Sequence, residues 1–526
     1  MIPVLTAQEV RDYDRYLIEE VGLAASELME RAASEIFKHL TPWLVQEPTS
    51  QVLIFSGRGN NGGDGITLAR LLSNAEVKTQ LVIVGDPTAL SAEAAKQYEL
   101  LLEGKSRSPI FEFSDSMHLA IDESSPLIIV DALLGTGASG LLRGDMPEAV
   151  QFLNQAALRY GAIVLSVDIP TGMDADTGEY EIDEEGRPFV VKANLTVTIA
   201  AAKVGFYRAN AASITGNIAV AGLTDRADLQ PRSHIRLVER SDVIAAYPRA
   251  ENISSKYDFG HVLSVCGSRG MTGAAIMGGE AALRSGCGLV TVATSASERH
   301  IVAQAMAELM TVGLPETSTG APTTSAWDVL EYFIKRADVL LIGSGMKPEP
   351  ETADLLRKIL REAAKPIVAD AGALHAVAED LSILDHRQSA TILTPHAGEL
   401  AKLIGIERKQ VEHDRMAYAR SFALEHKVTV VSKGAPTFTI SPAGDVFVNT
   451  TGNVGLATAG TGDVLGGMIA STFARMTAEP TDAAWIAVYL HGAAADLAKT
   501  EWTTIGMTAR DVTFKLGETY RSMGFE

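Results

Sequence analysis

Short apolar runs recur along the chain in two series, each separated by amphipathic stretches. In the first series, residues 51–57, 80–85, 126–135, 162–170 and 195–200 are almost continuously apolar. Strands buried on both faces have this pattern, because neither face meets water. Residues 66–74 and 146–161, between them, carry the apolar spacing of helices. The second series comprises 260–267, 288–294, 337–345, 366–372, 390–396 and 428–434. A hairpin is predicted over 437–444 and 445–452, followed by helices over 462–476 and 482–499. Strand alternating with helix predicts a parallel sheet with helices on both sides. The expected fold class is α/β, with two three-layer αβα domains. Residues 224–256 are charged and poor in strand pattern. The domain boundary is therefore expected near 225, giving domains 1–225 and 226–526, with a linker or the second domain's first helix behind it.

Composition narrows the function. The net charge of −20 argues against nucleic acid, which needs a basic surface for its phosphates. It leaves room for a phosphorylated small molecule, since helix N-termini hold phosphate through backbone amides. Cys266 and Cys287 are the only cysteines and suit a reducing compartment. The first residues lack the apolar region of a signal peptide, and no run reaches the ~18 apolar residues of a membrane helix. A cytoplasmic protein without a membrane partner is expected.

The run 51–57 enters the loop Arg58 to Gly65, in which four glycines surround Asn60, Asn61 and Asp64. A tight turn alone needs less polar chemistry, so this loop is expected to hold a ligand. Two further runs end at Asp131 and Asp168, each followed by a glycine-containing loop. Strand C-termini of a parallel sheet share one edge, where ligands bind. Asp131, Asp168 and Asn61 should therefore lie close together. Either Asp alone could be a helix cap, the reading preferred for Asp174 and Asp176. Asn61, Asp131 and Thr171 offer hard oxygen donors suited to a cation.

The stretches 57–65, 131–137 and 168–178, in that order, resemble the N-terminal epimerase domain of the NAD(P)H-hydrate repair family. The resemblance covers about residues 1–225 and implies a Rossmann-like fold. It implies that Asn60, Asn61, Gly62, Gly63 and Asp64 contact the hydrate, as do Gly135, Thr136, Gly137, Ala138, Ser139, Gly140 and Leu141. It further implies that Asp168 contacts substrate, a catalytic role, and that Asn61, Asp131 and Thr171 bind potassium. The family often has Ser at Thr171 and Leu at Met173; the hydroxyl oxygen is kept.

In the second half, residues 452–467 carry the richest pattern. Gly460, Thr461, Gly462 and Asp463 should open a helix whose free amides cradle an anion. A carboxylate there would repel phosphate, which makes sense if Asp463 is the base that deprotonates an attacking hydroxyl. Otherwise it is an ordinary first-turn acid. Lys433, Gly434, Ala435, Pro436 and Thr437 follow a strand and could clasp a nucleotide. His396 ends another strand on the same edge, whereas His491 lies on an apolar helix and is read as structural.

Residues 260–275, 394–403, 433–437, 452–467 and 489–496 together resemble the ribokinase-like superfamily, most closely its NAD(P)H-hydrate dehydratase branch. This implies a ribokinase-like fold over about 240–500. It implies that Lys433 to Thr437 and Gly462 bind the nucleotide, and that Ala274, Gly345, His396 and Asp463 contact the hydrate. Asp370-Ala371-Gly372-Ala373-Leu374-His375 stands where the family shows Asp-Ala-Asp-Ala-Leu-Asn, one carboxylate fewer, near the expected phosphate or magnesium site.

The resemblance implies a bifunctional repair enzyme for NADH and NADPH hydrates. The first domain would interconvert the R and S epimers. The second would phosphorylate the S epimer with ADP or ATP and eliminate phosphate, giving AMP or ADP. Potassium in the first domain, magnesium with the nucleotide in the second, and a homo-oligomer are expected. Two rivals are a ribokinase-like small-molecule kinase that stops at the phosphate ester, and a first domain that only binds.

Overall fold

A computed structural model describes residues 1–104, 108–114, 119, 121–138, 140–208, 211–248, 255–476 and 479–525. The chain divides into two compact units, residues 2–233 and 234–526, Met1 counting with the latter. Ser139 lies outside the described residues.

The N-terminal unit is built on a seven-stranded parallel sheet. Its order is Ile110–Glu112, Lys78–Ile83, Gln51–Ser56, Leu127–Ala132, Ile163–Val167, Leu195–Ile199, Asn217–Ala221. Successive residues of its central strands enter opposite cores, as the two-residue period requires. Val52, Ile54, Ile128 and Val130 join one, and Leu53, Phe55, Leu127 and Ile129 the other. Helices cover both faces: residues of Asn60–Asn74 and Ala92–Glu103 join the first core, and those of Met146–Tyr160 the second.

The strand order reverses between Gln51–Ser56 and Leu127–Ala132. The loops leaving those neighbours diverge there, opening the crevice where α/β sheets bind ligands. Gly57 sits at that fork: a Cβ on it would stand 2.0 Å from the Leu133 carbonyl oxygen.

The C-terminal unit repeats the plan. Its order is Met310–Leu314, Leu289–Ser295, His261–Val265, Val339–Ile342, Ile367–Ala369, Thr391–Leu393, Thr429–Ser432, Thr437–Ile440, Val446–Asn449, Ile235–Leu237. The strands are parallel up to Thr429–Ser432; the expected hairpin, Thr437–Ile440 against Val446–Asn449, is antiparallel. Val262, Val339, Leu341 and Val368 enter one core, and the intervening Leu263, Leu340 and Ile367 are equally buried. The reversal here falls between His261–Val265 and Val339–Ile342. Each unit is the expected layered α/β structure. No helix among the described residues is long and apolar enough to cross a membrane.

The charged stretch 224–256 contains the expected helix, Arg240–Ala246, but also the strand Ile235–Leu237. That strand is three residues long and pairs with Val446–Asn449, a partner over 200 residues away. Nothing local announces it.

Candidate functional site

At the first fork, Gly59 precedes the helix Asn60–Asn74, whose first turn is the polar glycine loop. Gly62 and Gly63 are there for packing. A Cβ on Gly62 would stand 1.8 Å from the Gly57 carbonyl oxygen, and one on Gly63 2.6 Å from the Met29 methyl. The helix end can thus nest against strand and neighbour, leaving Asn60, Asn61 and Asp64 on a cavity of about 580 Å³. Gly135, Thr136, Gly137, Ala138 and Asp168 line it as well. A Cβ at Gly135 would come within 2.9 Å of an Asp168 carboxylate oxygen and 3.2 Å of Asn61 Oδ1. Gly140 and Leu141 face a second cavity of about 1140 Å³, also bounded by Gly135, Gly137 and Ala138.

Asp168 has φ of +67°, which costs a non-glycine residue energy that surrounding structure must hold in place. What holds it is a set of bonds to its carboxylate. The Thr136 N–H donates at 3.0 Å, the Ile199 N–H at 3.3 Å, and Lys203 Nζ lies at 2.6 Å. Lys203 is wholly buried and also donates to Thr198 Oγ1 and the Ile199 and Ala201 carbonyls. Burial alone would raise the Asp168 pKa, but the Lys203 charge and these donors hold it below the usual value. Asp64, buried in the same cavity, is pushed well up by desolvation and by Asp168 and Asp14.

Asp131 is fully buried. It accepts from Ser166 Oγ at 2.9 Å, from the Thr171 N–H at 2.9 Å and from Thr171 Oγ1 at 2.7 Å. Burial nevertheless raises its pKa. Thr171 Oγ1 in turn accepts the Leu134 N–H at 3.0 Å, anchoring the loop that carries Gly135. Asn61 is the outlier: both side-chain polar atoms are buried without a partner. Buried polar atoms are nearly always satisfied. Among the described residues, no cluster of three His, Cys, Asp or Glu suits a metal, so any cation here rests on amide, hydroxyl and backbone oxygens with Asp131.

At the second fork, a Cβ on Gly345, at φ +65°, would stand 2.6 Å from Ala274 Cβ, so these two expected hydrate contacts adjoin. The Gly267 N–H donates to the Ser344 carbonyl at 2.8 Å, tying the forked loops. Gly460, at φ +93°, turns the chain into the helix Thr461–Arg475. Asp463 stands in its first turn, its pKa pushed up to about 6 by burial and by Asp370, against the pull of Lys433 and Ser344. Asp370 is buried and ionised: Lys433 Nζ lies at 2.8 Å, Thr394 Oγ1 donates at 2.7 Å and Ser344 Oγ at 3.2 Å. Desolvation is outweighed, so its pKa is lowered.

Lys433 reaches Glu399 at 3.8 Å as well, and its Nζ is 3.6 Å from a Cβ placed on Gly462. Its ammonium therefore joins Asp370 to the anion-facing helix end. Gly434 is pressed against Arg415, which donates to the Pro436 carbonyl and lies over the Phe438 ring at 4.9 Å. Thr437 Oγ1 closes the 433–437 loop on the Gly434 carbonyl at 2.8 Å. His396 caps the helix Ala397–Ile404, accepting from the Glu399 N–H at 3.1 Å, with its ring exposed. His491 is buried and its pKa falls to about 4 through desolvation. A Cβ on Gly372 would stand 3.0 and 3.1 Å from the Gly343 and Met346 carbonyls, so a carboxylate there would need its neighbours to give way slightly.

Asp14, Lys203 and Arg415 escaped the sequence reading, and Ser344, Thr394 and Glu399 entered it only as members of motifs without a role. Lys203 left one trace, a lone lysine after the apolar residues 199–202.

These two forks belong to known domain types. The model of the YjeF-related protein N-terminus matches residues 25–205, and that of NAD(P)H-hydrate dehydratases matches 262–517. The chain belongs to the family of bifunctional NAD(P)H-hydrate repair enzymes. The Moorella thermoacetica member is 35% identical over 97% of this chain and 95% of its own length. The Escherichia coli member is 31% identical over 96% and 92%. A crystal structure of the ADP/ATP-dependent NAD(P)H-hydrate dehydratase from Bacillus subtilis, co-crystallised with ATP and Mg²⁺, is 28% identical; it covers 54% of this chain and 97% of that one, with a TM-score of 0.47.

Proposed function

We propose that the N-terminal domain interconverts the R and S epimers of NADH and NADPH hydrate, and that the C-terminal domain dehydrates the S epimer with ADP or ATP. The observation that carries the second activity is Asp463 in the first turn of a glycine-opened helix. Asp463 takes the proton of the hydrate hydroxyl, and that oxygen attacks the terminal phosphorus of the nucleotide. The bridging oxygen leaves with the nucleotide. Phosphate then departs with the carbon–oxygen pair while the neighbouring carbon loses a proton, restoring the ring double bond. Phosphate is a far better leaving group than hydroxide, which is why a nucleotide is consumed.

The residues 433–437 and Gly462 receive the nucleotide, and Ala274, Gly345 and His396 the hydrate. Asp370 is already engaged by Lys433, Thr394 and Ser344. Magnesium would be held through the nucleotide phosphates, its common mode of binding, and would supply charge neutralisation there. In the N-terminal domain the hydrate lies against Asn60 to Asp64, the 135–141 loop and Asp168. Potassium fits Asn61, Asp131 and Thr171, because it would give the unpartnered Asn61 oxygen a neighbour. No nucleic acid is bound; the compartment is cytoplasmic and the assembly a homo-oligomer.

The deciding experiment incubates the protein with mixed epimers, with and without each nucleotide, and separates products by chromatography. Loss of both epimers with nucleotide, and R–S exchange without it, are expected. A phosphate ester that accumulates would point to a kinase instead. Thr171→Val removes the hydroxyl that bonds Asp131 and holds Leu134. A hydrogen bond to a charged group contributes roughly 1.5–3 kcal/mol, so potassium dependence and epimerisation should weaken together. Unchanged potassium activation of the variant would rule out the site.

A further inference from the structure

Asp14 belongs to no motif, yet it lines the N-terminal cavity with Asn61, Asp64 and Asp168. It lies on the helix Ala7–Arg15, held by a capping box at Thr6 and Glu9. Burial and the Asp168 charge push its pKa up to about 6, against the pull of Lys203. Asp168 is driven the other way by Lys203. One cavity thus holds two carboxyls whose surroundings push them in opposite directions, the arrangement that divides acid from base roles.

We propose that Asp14 is the proton donor of epimerisation, acting with Asp168 as the base. The proposal rests on the reading of this domain as an epimerase. Hydrating an enamine puts the hydroxyl on the carbon bonded to the ring nitrogen, so the hydrate is a hemiaminal. Asp168 takes the hydroxyl proton, and the oxygen–hydrogen pair becomes the carbonyl bond. The carbon–nitrogen bond breaks with its pair on nitrogen, which takes the Asp14 proton. The product is an open-chain aldehyde with an N–H. Rotation about the adjacent carbon–carbon bond presents the other carbonyl face. Nitrogen then attacks it, Asp14 recovers the N–H proton, and Asp168 returns its own to oxygen. Atoms and electrons balance, and no co-reactant is needed.

Asp64 is the other carboxyl pushed upward, more deeply buried than Asp14 and held well above the usual carboxylate range by desolvation. That suits a fixed hydrogen-bond donor. A proton donor works best with a pKa near the working pH, which favours Asp14. The charged and titratable groups around Asp14 are Arg11 and Tyr13 on its own helix, Asp64 and Glu93 across the cavity, and Asp168 with Lys203.

The test is Asp14→Asn in the full-length protein, given pure R hydrate without nucleotide. Epimerisation should fall about 10²–10⁴-fold, while hydrate affinity by calorimetry stays within about threefold. In the wild type, kcat should decline as pH rises through about 6, where Asp14 loses its proton, and Asp14→Asn should lack that limb. Asp14→Glu should regain part of the rate. Wild-type turnover by Asp14→Asn, or an unchanged alkaline limb in it, overturns the proposal and leaves the epimerase reading standing. Failure of the wild type to convert R to S overturns both.

Discussion

Asp463→Asn should slow dehydration by about 10²–10⁴-fold, the usual contribution of a general base, and leave epimerisation untouched. Asn keeps the size of the side chain and removes its basicity. Nucleotide affinity should persist, since the residues 433–437 and the amides at Gly460 to Gly462 remain. It should tighten if anything, because a negative charge beside the phosphates is gone. A base must be unprotonated, and Asp463 is held at about 6. Wild-type dehydration should therefore fall as pH drops through about 6, and this limb should vanish in the variant. An acid that merely complements the helix dipole would contribute about 0.3–1 kcal/mol to stability and nothing to turnover. Near-normal dehydration by folded Asp463→Asn would sink the mechanism.

The helix start that carries Asp463 was legible in the sequence because it is local: the glycines, the threonine and the acid are neighbours in one stretch. The central strands were legible for a related reason, since burial on both faces leaves an apolar run whatever the partner strand. Ile110–Glu112 and Ile235–Leu237 were not, being three-residue strands that exist through their pairing. The same division runs through the sites. Asn61 opens a helix after one strand, Asp131 lies at the end of another and Asp168 follows a third, each near glycines that the sequence shows. Asp14 and Lys203 reach the same place from a charged helix and from an apolar segment, and only the folded chain joins them to Asp168. Asp370 was noticed for the carboxylate missing two positions later. Its pairing with Lys433 spans 63 residues and no spacing rule predicts it.

Lys203→Met should be the most damaging single substitution in the N-terminal domain. Lys203 is 0% and Asp168 8% exposed, and their charges lie 2.6 Å apart. Breaking a buried pair by removing one partner typically costs about 3–5 kcal/mol, because the other charge is left buried and uncompensated. Met fills similar volume, so the loss is electrostatic rather than a cavity. Asp168 would then lose its main cationic partner, and burial would drive its pKa up. Protonated Asp168 cannot serve as the base, so epimerisation should collapse together with stability. Asp168→Asn should also abolish epimerisation, but it strands the ammonium, which still has Thr198 Oγ1 and two carbonyls. The double variant Asp168→Asn, Lys203→Met removes both charges. It should regain much of the lost stability, since neutral replacement of a buried pair is often tolerated, yet no epimerisation. The pH dependence has a definite sign. Asp168 has a depressed folded pKa, so the stability it provides is present above the unfolded value of about 3.9 and is lost as pH falls through the folded one. Thermal unfolding of the four proteins between about pH 2 and 7 measures this. Equal stability of Lys203→Met and wild type would show that the pair does not hold the site. Epimerisation by the double variant would show that Asp168 is not its base.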